Sequence, residues 1–222
     1  MHIAIAGGHG QIALRLTRFL RIRGDTVRSL IRNPDHSDDV RDVGAEPVVC
    51  DLEHATEKEV ATAIRSVDAV VFAAGAGPGS GSERKETVDY GGAVKLIAAT
   101  KAKKISRYVM VSAMGADPSA EGDDTYSIYA RAKGRADAEL EASGLSYTII
   151  RPGSLTDDPG NGRVEIAERL EGGSISRDDV AAVVAKTAHA RVTIGWTFDL
   201  VAGETRIDEA LASLREHPPP TP

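Results

Sequence analysis

Short apolar runs alternate with amphipathic stretches along the whole chain. Seven runs read as strands, over residues 2–6, 26–31, 46–50, 69–74, 108–112, 146–151 and 196–201. Two of them, AVVFAA and YVMVSA, are apolar at nearly every position, as strands covered on both faces are. Between the strands the apolar period lengthens to that of a helix. In 11–23, Ile12, Leu16, Phe19 and Leu20 form one stripe. Further helices are predicted over 57–65, 84–101, 126–142, 177–189 and 207–215. Ser176 precedes RDDVAAVVAK and can cap that helix, with Asp178 and Asp179 in its electropositive first turn. Strict alternation of this kind predicts an α/β fold with a doubly wound parallel sheet. One domain is expected over 1–216, with a disordered tail at 217–222, where HPPPTP lacks most of its N–H groups. Residues 153–173 suffice for a short substrate lid but not for a second domain. The glycine-rich stretch 75–82 could form the opposite wall.

Composition narrows the function. The chain has 222 residues, 41% of them apolar, so a sizeable core can form. Its formal net charge of −6 argues against nucleic acid, which needs a basic face. No apolar run approaches the ~18 residues that a membrane span requires. The opening MHIAIAGG reads as a strand and a glycine turn rather than a signal peptide. Cys50 is the only cysteine, and an apolar-flanked lone cysteine reads as a small buried hydrophobe. A cytoplasmic protein with a small-molecule substrate is the expectation, with a homodimer left open.

The candidate chemistry begins where the first strand ends. Gly7-Gly8-His9-Gly10-Gln11-Ile12-Ala13 is G-x-x-G-x-x-A, opening a helix. Gly7 permits a tight turn, Gly10 lets backbone N–H groups reach a pyrophosphate without a Cβ in the way, and Ala13 lets helix and strand pack closely. The helix N-terminus adds partial positive charge. His9 either adds charge near the phosphates or faces solvent. An NAD-preferring site usually carries Asp or Glu after the second strand. Here the segment reads VRSLIRNP, without an acid before Asp35. Arg32 suits the 2′-phosphate of NADP(H), which guanidinium can pair bidentately. Arg28 either shares that task or is a solvated surface charge. His36, His54, His189 and His217 are scattered without metal-site spacing, so no metal is expected.

Tyr129 and Lys133 form Y-x-x-x-K on a predicted helix, which puts both on one face. An adjacent ammonium favours phenolate and would lower the tyrosine pKa. Such a tyrosine could exchange a proton with a carbonyl or carbinol oxygen while hydride moves to or from nicotinamide. Ser112, at the end of the fifth strand, could hydrogen-bond the same oxygen.

With these residues in place, the chain resembles the atypical short-chain dehydrogenases/reductases, a group with Rossmann folds. That group includes NmrA-like proteins, biliverdin-IXβ/flavin reductase-like proteins and NAD-dependent epimerases/dehydratases. The resemblance runs through GGHGQIA, VRSLIRNP, TVDYGGAVKLIAA, RYVMVSAMGA, YARAKGRADAEL and YTIIRPGSL. It implies that Asp51 accepts from the adenine amine, or else caps a turn, and that Leu52 packs near the ring. It implies further that Ala73, Ala74 and Gly75 line the ribose, that Pro152 and Gly153 lie near the nicotinamide, and that Ser112, Tyr129 and Lys133 are the active set. Asp89 stands where the family usually has Asn. The implied function is an NADP(H)-dependent oxidoreductase for a small carbonyl, quinone or flavin. The alternatives are an epimerase/dehydratase-like enzyme and a non-catalytic NADP(H) sensor.

Overall fold

The structure is a computed structural model that describes residues 1–77 and 79–216. The predicted tail at 217–222 lies outside the described residues. The seven expected strands all form: β1 (His2–Ala6), β2 (Thr26–Ile31), β3 (Glu46–Val49), β4 (Ala69–Phe72), β5 (Arg107–Val111), β6 (Ser146–Pro152) and, late in the chain, β10 (Trp196–Ala202). They pair in parallel in the order β3-β2-β1-β4-β5-β6-β10. β1 sits in the middle because its side chains are small or β-branched and all buried from Ile3 onward. Its residues alternate between two cores, as the period-2 pleat requires. Ile3 and Ile5 point toward α1 (Gln11–Ile22), α7 (Arg177–His189) and α8 (Ile207–Ser213). Ala4 and Ala6 point toward α3 (Glu57–Ala63), α5 (Gly91–Ala102) and α6 (Thr125–Glu141). A three-layer α/β/α sandwich results, and its strands end together along one edge.

Two regions depart from expectation. Residues 153–173 are not a free lid. They supply β7 (Ser154–Thr156) and β8 (Arg163–Ala167). β8 runs antiparallel to β10 and carries β11 (Thr205–Arg206) outside it, while β7 pairs with β9 (Ser174–Ser176). The segment is pinned to the start of α7, where Asp179 accepts from the N–H groups of Asn161 at 3.1 Å and Gly162 at 2.8 Å. Short alternating runs such as RVEIA are weak signals beside long apolar ones.

The second departure is the helix predicted over 84–101. It begins as a short α4 (Gly81–Arg84), opens into a π-helical turn (Lys85–Tyr90) and only then becomes α5. The extra residue per turn brings both Lys85 and Asp89 inward, each under a tenth exposed. π-turns of this kind gather at functional sites. A short α2 (Ser37–Asp42), preceded by a 3-10 turn, also escaped the pattern.

Candidate cofactor and substrate site

Turns at the carboxyl ends of β1, β2, β3 and β4 enclose a cleft. Gly7 has φ +77, and a Cβ there would lie 2.6 Å from the Ala74 Cα, so β1 and β4 meet through bare backbone. A Cβ on Gly8 would lie 2.4 Å from that of Ser29, and the Gly8 N–H bonds the Leu30 carbonyl at 2.9 Å. Gly10 differs. A Cβ there would press on the Gly7 carbonyl at 3.1 Å, a milder contact, and reach the Ala73 carbonyl at 3.8 Å.

Helix α1 starts on Gly10. By contrast, α6 starts on Asp124 and α7 on Ser176, whose side chains accept N–H groups of their own first turns. No side chain caps α1, and its first turn carries no acid. Orphan N–H groups with the positive end of the helix dipole, facing a cleft, suit a diphosphate. The residues therefore fit a dinucleotide.

Arg32 reaches the same cleft, exposed and in no ion pair among the described residues. Arg28 does neither thing expected of it. Its guanidinium is mostly buried, 2.9 Å from Glu46 and donating to the carbonyls of Ala63 at 3.3 Å and Arg65 at 2.8 Å. His9 is not simply solvent-facing. Its ring stacks on His36 with centroids 3.7 Å apart, and its Nε2 lies 2.8 Å from Asp39. Both rings line the cleft beside Arg32, a pairing made by the 3-10 turn at 34–36 and hidden from spacing alone. Asp51 and Leu52 line the cleft floor. Asp51 also makes the turn contacts that were its alternative role. It accepts from the Glu53 N–H and lies 3.0 Å from His54 Nδ1. Burial alone would raise its pKa, but the His54 and Glu53 contacts outweigh burial and hold it below the ordinary value.

Gly10, Ala73, Ala74 and Gly75 also border a second hollow over β5 and β6, so the two join into one groove. Gln11, Ile12, Ser112, Tyr129, Lys133 and Pro152 line this hollow. Lys85, Tyr126, Leu155 and Arg177 line it too. Gly153 lines neither part of the groove. It is bare because a Cβ would lie 2.4 Å from the Gly173 carbonyl, and its N–H bonds the Leu200 carbonyl at 3.0 Å.

The expected triad comes together, with a different charge balance. Lys133 is almost fully buried, with Nζ 3.3 Å from Asp89 and 3.4 Å from the Val111 carbonyl. Burial works against its charge. Asp89 first, then Tyr129 and Asp137, outweigh burial and hold its pKa above the ordinary lysine value. The Tyr129 ring lies under two ammoniums, Lys85 at 5.2 Å and Lys133 at 5.9 Å from its centroid. Its hydroxyl has no hydrogen-bond partner among the described residues. Burial raises its pKa, Lys133 pulls it down, and Asp89 and Asp137 push it back up. The net shift is upward, the reverse of the expected lowering. Burial is the main reason, and the Asp89 carboxylate adds to it by offsetting the Lys133 charge. Ser112 donates to Asp137 Oδ2 at 2.9 Å. Sequence reasoning passed over Asp137, although it continues the Tyr129/Lys133 face one turn on.

A bare glycine cradle under an uncapped helix, at the carboxyl edge of a 3-2-1-4-5-6 sheet, defines an NAD(P)-binding protein of the atypical short-chain dehydrogenase/reductase type. The chain belongs to the NAD(P)H-binding family, whose model matches residues 7–191. It is 40% identical to the uncharacterized sugar epimerase YhfK of Bacillus subtilis, over 96% of this chain and 100% of that one. Among solved structures, it matches a Bacillus halodurans protein provisionally named an NAD-dependent epimerase/dehydratase. That match has TM-score 0.89 and 35% identity over 96% of this chain and 99% of that one. The oxidoreductase ylbE of Lactococcus lactis matches with TM-score 0.87 and 29% identity, over 98% of each chain.

Proposed function

We propose that the protein is an NADP(H)-dependent oxidoreductase for a small carbonyl, quinone or flavin. The observation that carries this reading is Arg32, a guanidinium unpaired among the described residues, in the cleft where an NAD-preferring site would carry an acid. The uncapped α1 N-terminus would take the diphosphate and Arg32 the 2′-phosphate. The nicotinamide, which supplies or accepts hydride, would lie toward Pro152 and Tyr129. Lys133 would hold the nicotinamide ribose, while Ser112 and Tyr129 direct hydrogen bonds at the substrate oxygen. The relatives named epimerase and oxidoreductase support a nicotinamide enzyme of this general kind.

Titration calorimetry with NADPH and NADH tests the reading. Arg32→Ala should weaken NADPH by roughly 30-fold, about 2 kcal/mol for a charge-assisted pair, and leave NADH within about twofold. Equal loss for both, or no heat from either, overturns it.

One observation favours a second reading, an NADP(H) sensor without turnover. The lysine that should activate Tyr129 is held by Asp89. Tight NADPH binding with no oxidation by aldehyde, quinone or flavin would support that reading.

A further inference from the structure

Behind the substrate hollow lies a chain of polar groups that no recognised role accounts for. Ser112 faces the hollow and donates to Asp137 Oδ2 at 2.9 Å. Arg151, on β6, donates from Nε to the same oxygen, also at 2.9 Å. Asp137 is 1% exposed, and its other oxygen, Oδ1, is buried with no hydrogen-bond partner. An unpartnered carboxylate oxygen in the interior is costly, and protonation of the carboxyl relieves the cost. By contrast, Asp89 offsets the Lys133 ammonium that would favour the Tyr129 phenolate.

Resting on the oxidoreductase reading above, we propose that Asp137 is the positioning residue that holds the reaction's proton and exchanges it with the substrate oxygen through Ser112. In carbinol oxidation, the substrate O–H gives its proton to Ser112 Oγ as the Ser112 hydroxyl proton passes to Asp137 Oδ2. The C=O bond forms as hydride leaves the carbinol carbon for an oxidised nicotinamide nucleotide. Carbonyl reduction is the reverse, with a reduced nicotinamide nucleotide as the two-electron donor, and it leaves Asp137 ionised. Arg151 steadies that carboxylate, and solvent restores the proton before the next turnover.

The groups facing Asp137 agree with this role. Burial raises its pKa most. Arg151 from β6, Ser112 from the end of β5 and Lys133 from its own helix pull it back, to about 6. Tyr129 shares the same face of α6, Asp89 offsets Lys133 from the π-turn, and Asp117 interacts with Arg151 from beyond it. A carboxyl balanced there can be acid or base near neutral pH.

The test has two arms. In the free protein, carbon-13 NMR of labelled aspartate should show one carboxyl titrating near pH 6. That signal should be absent in Asp137→Asn and moved upward in Ser112→Ala, which loses a donor to the carboxylate. In turnover with NADPH and benzaldehyde as probe, kcat/KM for reduction should fall tenfold per pH unit above the same value. Asp137→Asn should cost about 100-fold and flatten the profile. Arg151→Gln should shift the profile upward rather than abolish it, an effect that lost packing would not produce. If no carboxyl titrates near 6, or if the Asp137→Asn profile keeps the wild-type shape, the proposal is overturned. Absence of NADPH binding would sink the oxidoreductase reading instead, and the NMR arm would still report on the buried carboxyl.

Discussion

At the dinucleotide end of the groove the cradle in front of α1 is main chain and glycine, with Arg32, His9 and His36 beyond it. At the substrate end, charged side chains withdrawn from water lie in the groove's wall and behind it. The first end works by what is missing: a Cβ at Gly10, a capping side chain on α1, an acid after β2. The second works by balance, with Lys133 against Asp89 and Arg151 against Asp137, each carboxylate 1% exposed. A site made of absences tolerates changes to its surroundings but not added atoms. A site made of compensated charges tolerates neither member being lost alone.

The sharpest way to break this contrast is Lys133→Met. Met fills a similar volume but leaves Asp89 buried without its cation. Destabilisation by about 4 kcal/mol is expected, the range for removing one member of a buried pair. Urea unfolding measures it. The double variant Lys133→Met/Asp89→Asn should recover most of the loss, because it removes the stranded charge rather than one half of a pair. If the single and double variants are equally unstable, the pair is not balanced as described and the contrast fails.

The same contrast explains what the sequence revealed. Glycines at fixed offsets after an apolar strand can be read directly, since few conformations need them. That Arg32 would stand at the cleft could be read because the acid it replaces is itself positional. The seven parallel strands were legible from apolar runs that need no partner to be recognised. Asp89 and Lys85 were not legible as buried charges, because the π-turn that turns both inward has no signal in a 3.6-residue period. The His9–His36 stack was hidden for the same kind of reason, a 3-10 turn that shifts one imidazole onto another. Nor could the sequence tell that Tyr129 would have a raised pKa, since Lys133 lies one turn away on the same helix while its counter-charge comes from another element. Asp137 was visible, four residues past Lys133, but nothing in the pattern said it would be buried with one oxygen unpartnered.

A smaller effect separates fold from ligand within the glycine loop itself. Gly7→Ala must hold φ near +77 with a Cβ 2.6 Å from the Ala74 backbone. Strain and displacement together should cost about 3 kcal/mol of stability. Gly10→Ala meets only the Gly7 carbonyl, at 3.1 Å and with φ −63, so its melting temperature should fall much less than that of Gly7→Ala. Its added methyl occupies the space in front of the α1 N–H groups, and NADPH affinity should fall at least tenfold. Thermal melting and calorimetry on the same two proteins check the pair. Were Gly10→Ala to bind NADPH as well as the wild type does, the phosphates would not approach there.

The smallest expected effect comes from Arg28, which the sequence offered beside Arg32 as a second phosphate ligand. Its guanidinium already donates to two carbonyls at the end of α3 and pairs with Glu46 on β3. Turning it into the cleft would leave those carbonyls short of a donor for no gain that Arg32 does not already give. Arg28→Ala should therefore lower stability by about 1 kcal/mol and leave the ratio of NADPH to NADH affinity unchanged within about twofold. Arg32→Ala should do the opposite, changing the ratio and sparing the fold, because its side chain is exposed and in no ion pair among the described residues. Two arginines four residues apart, one on β2 and one just past its end, thus give opposite readouts in the same two assays. A fall in the NADPH ratio for Arg28→Ala would mean that both guanidiniums reach the ligand, and that the ion pair of Arg28 with Glu46 opens when the dinucleotide binds.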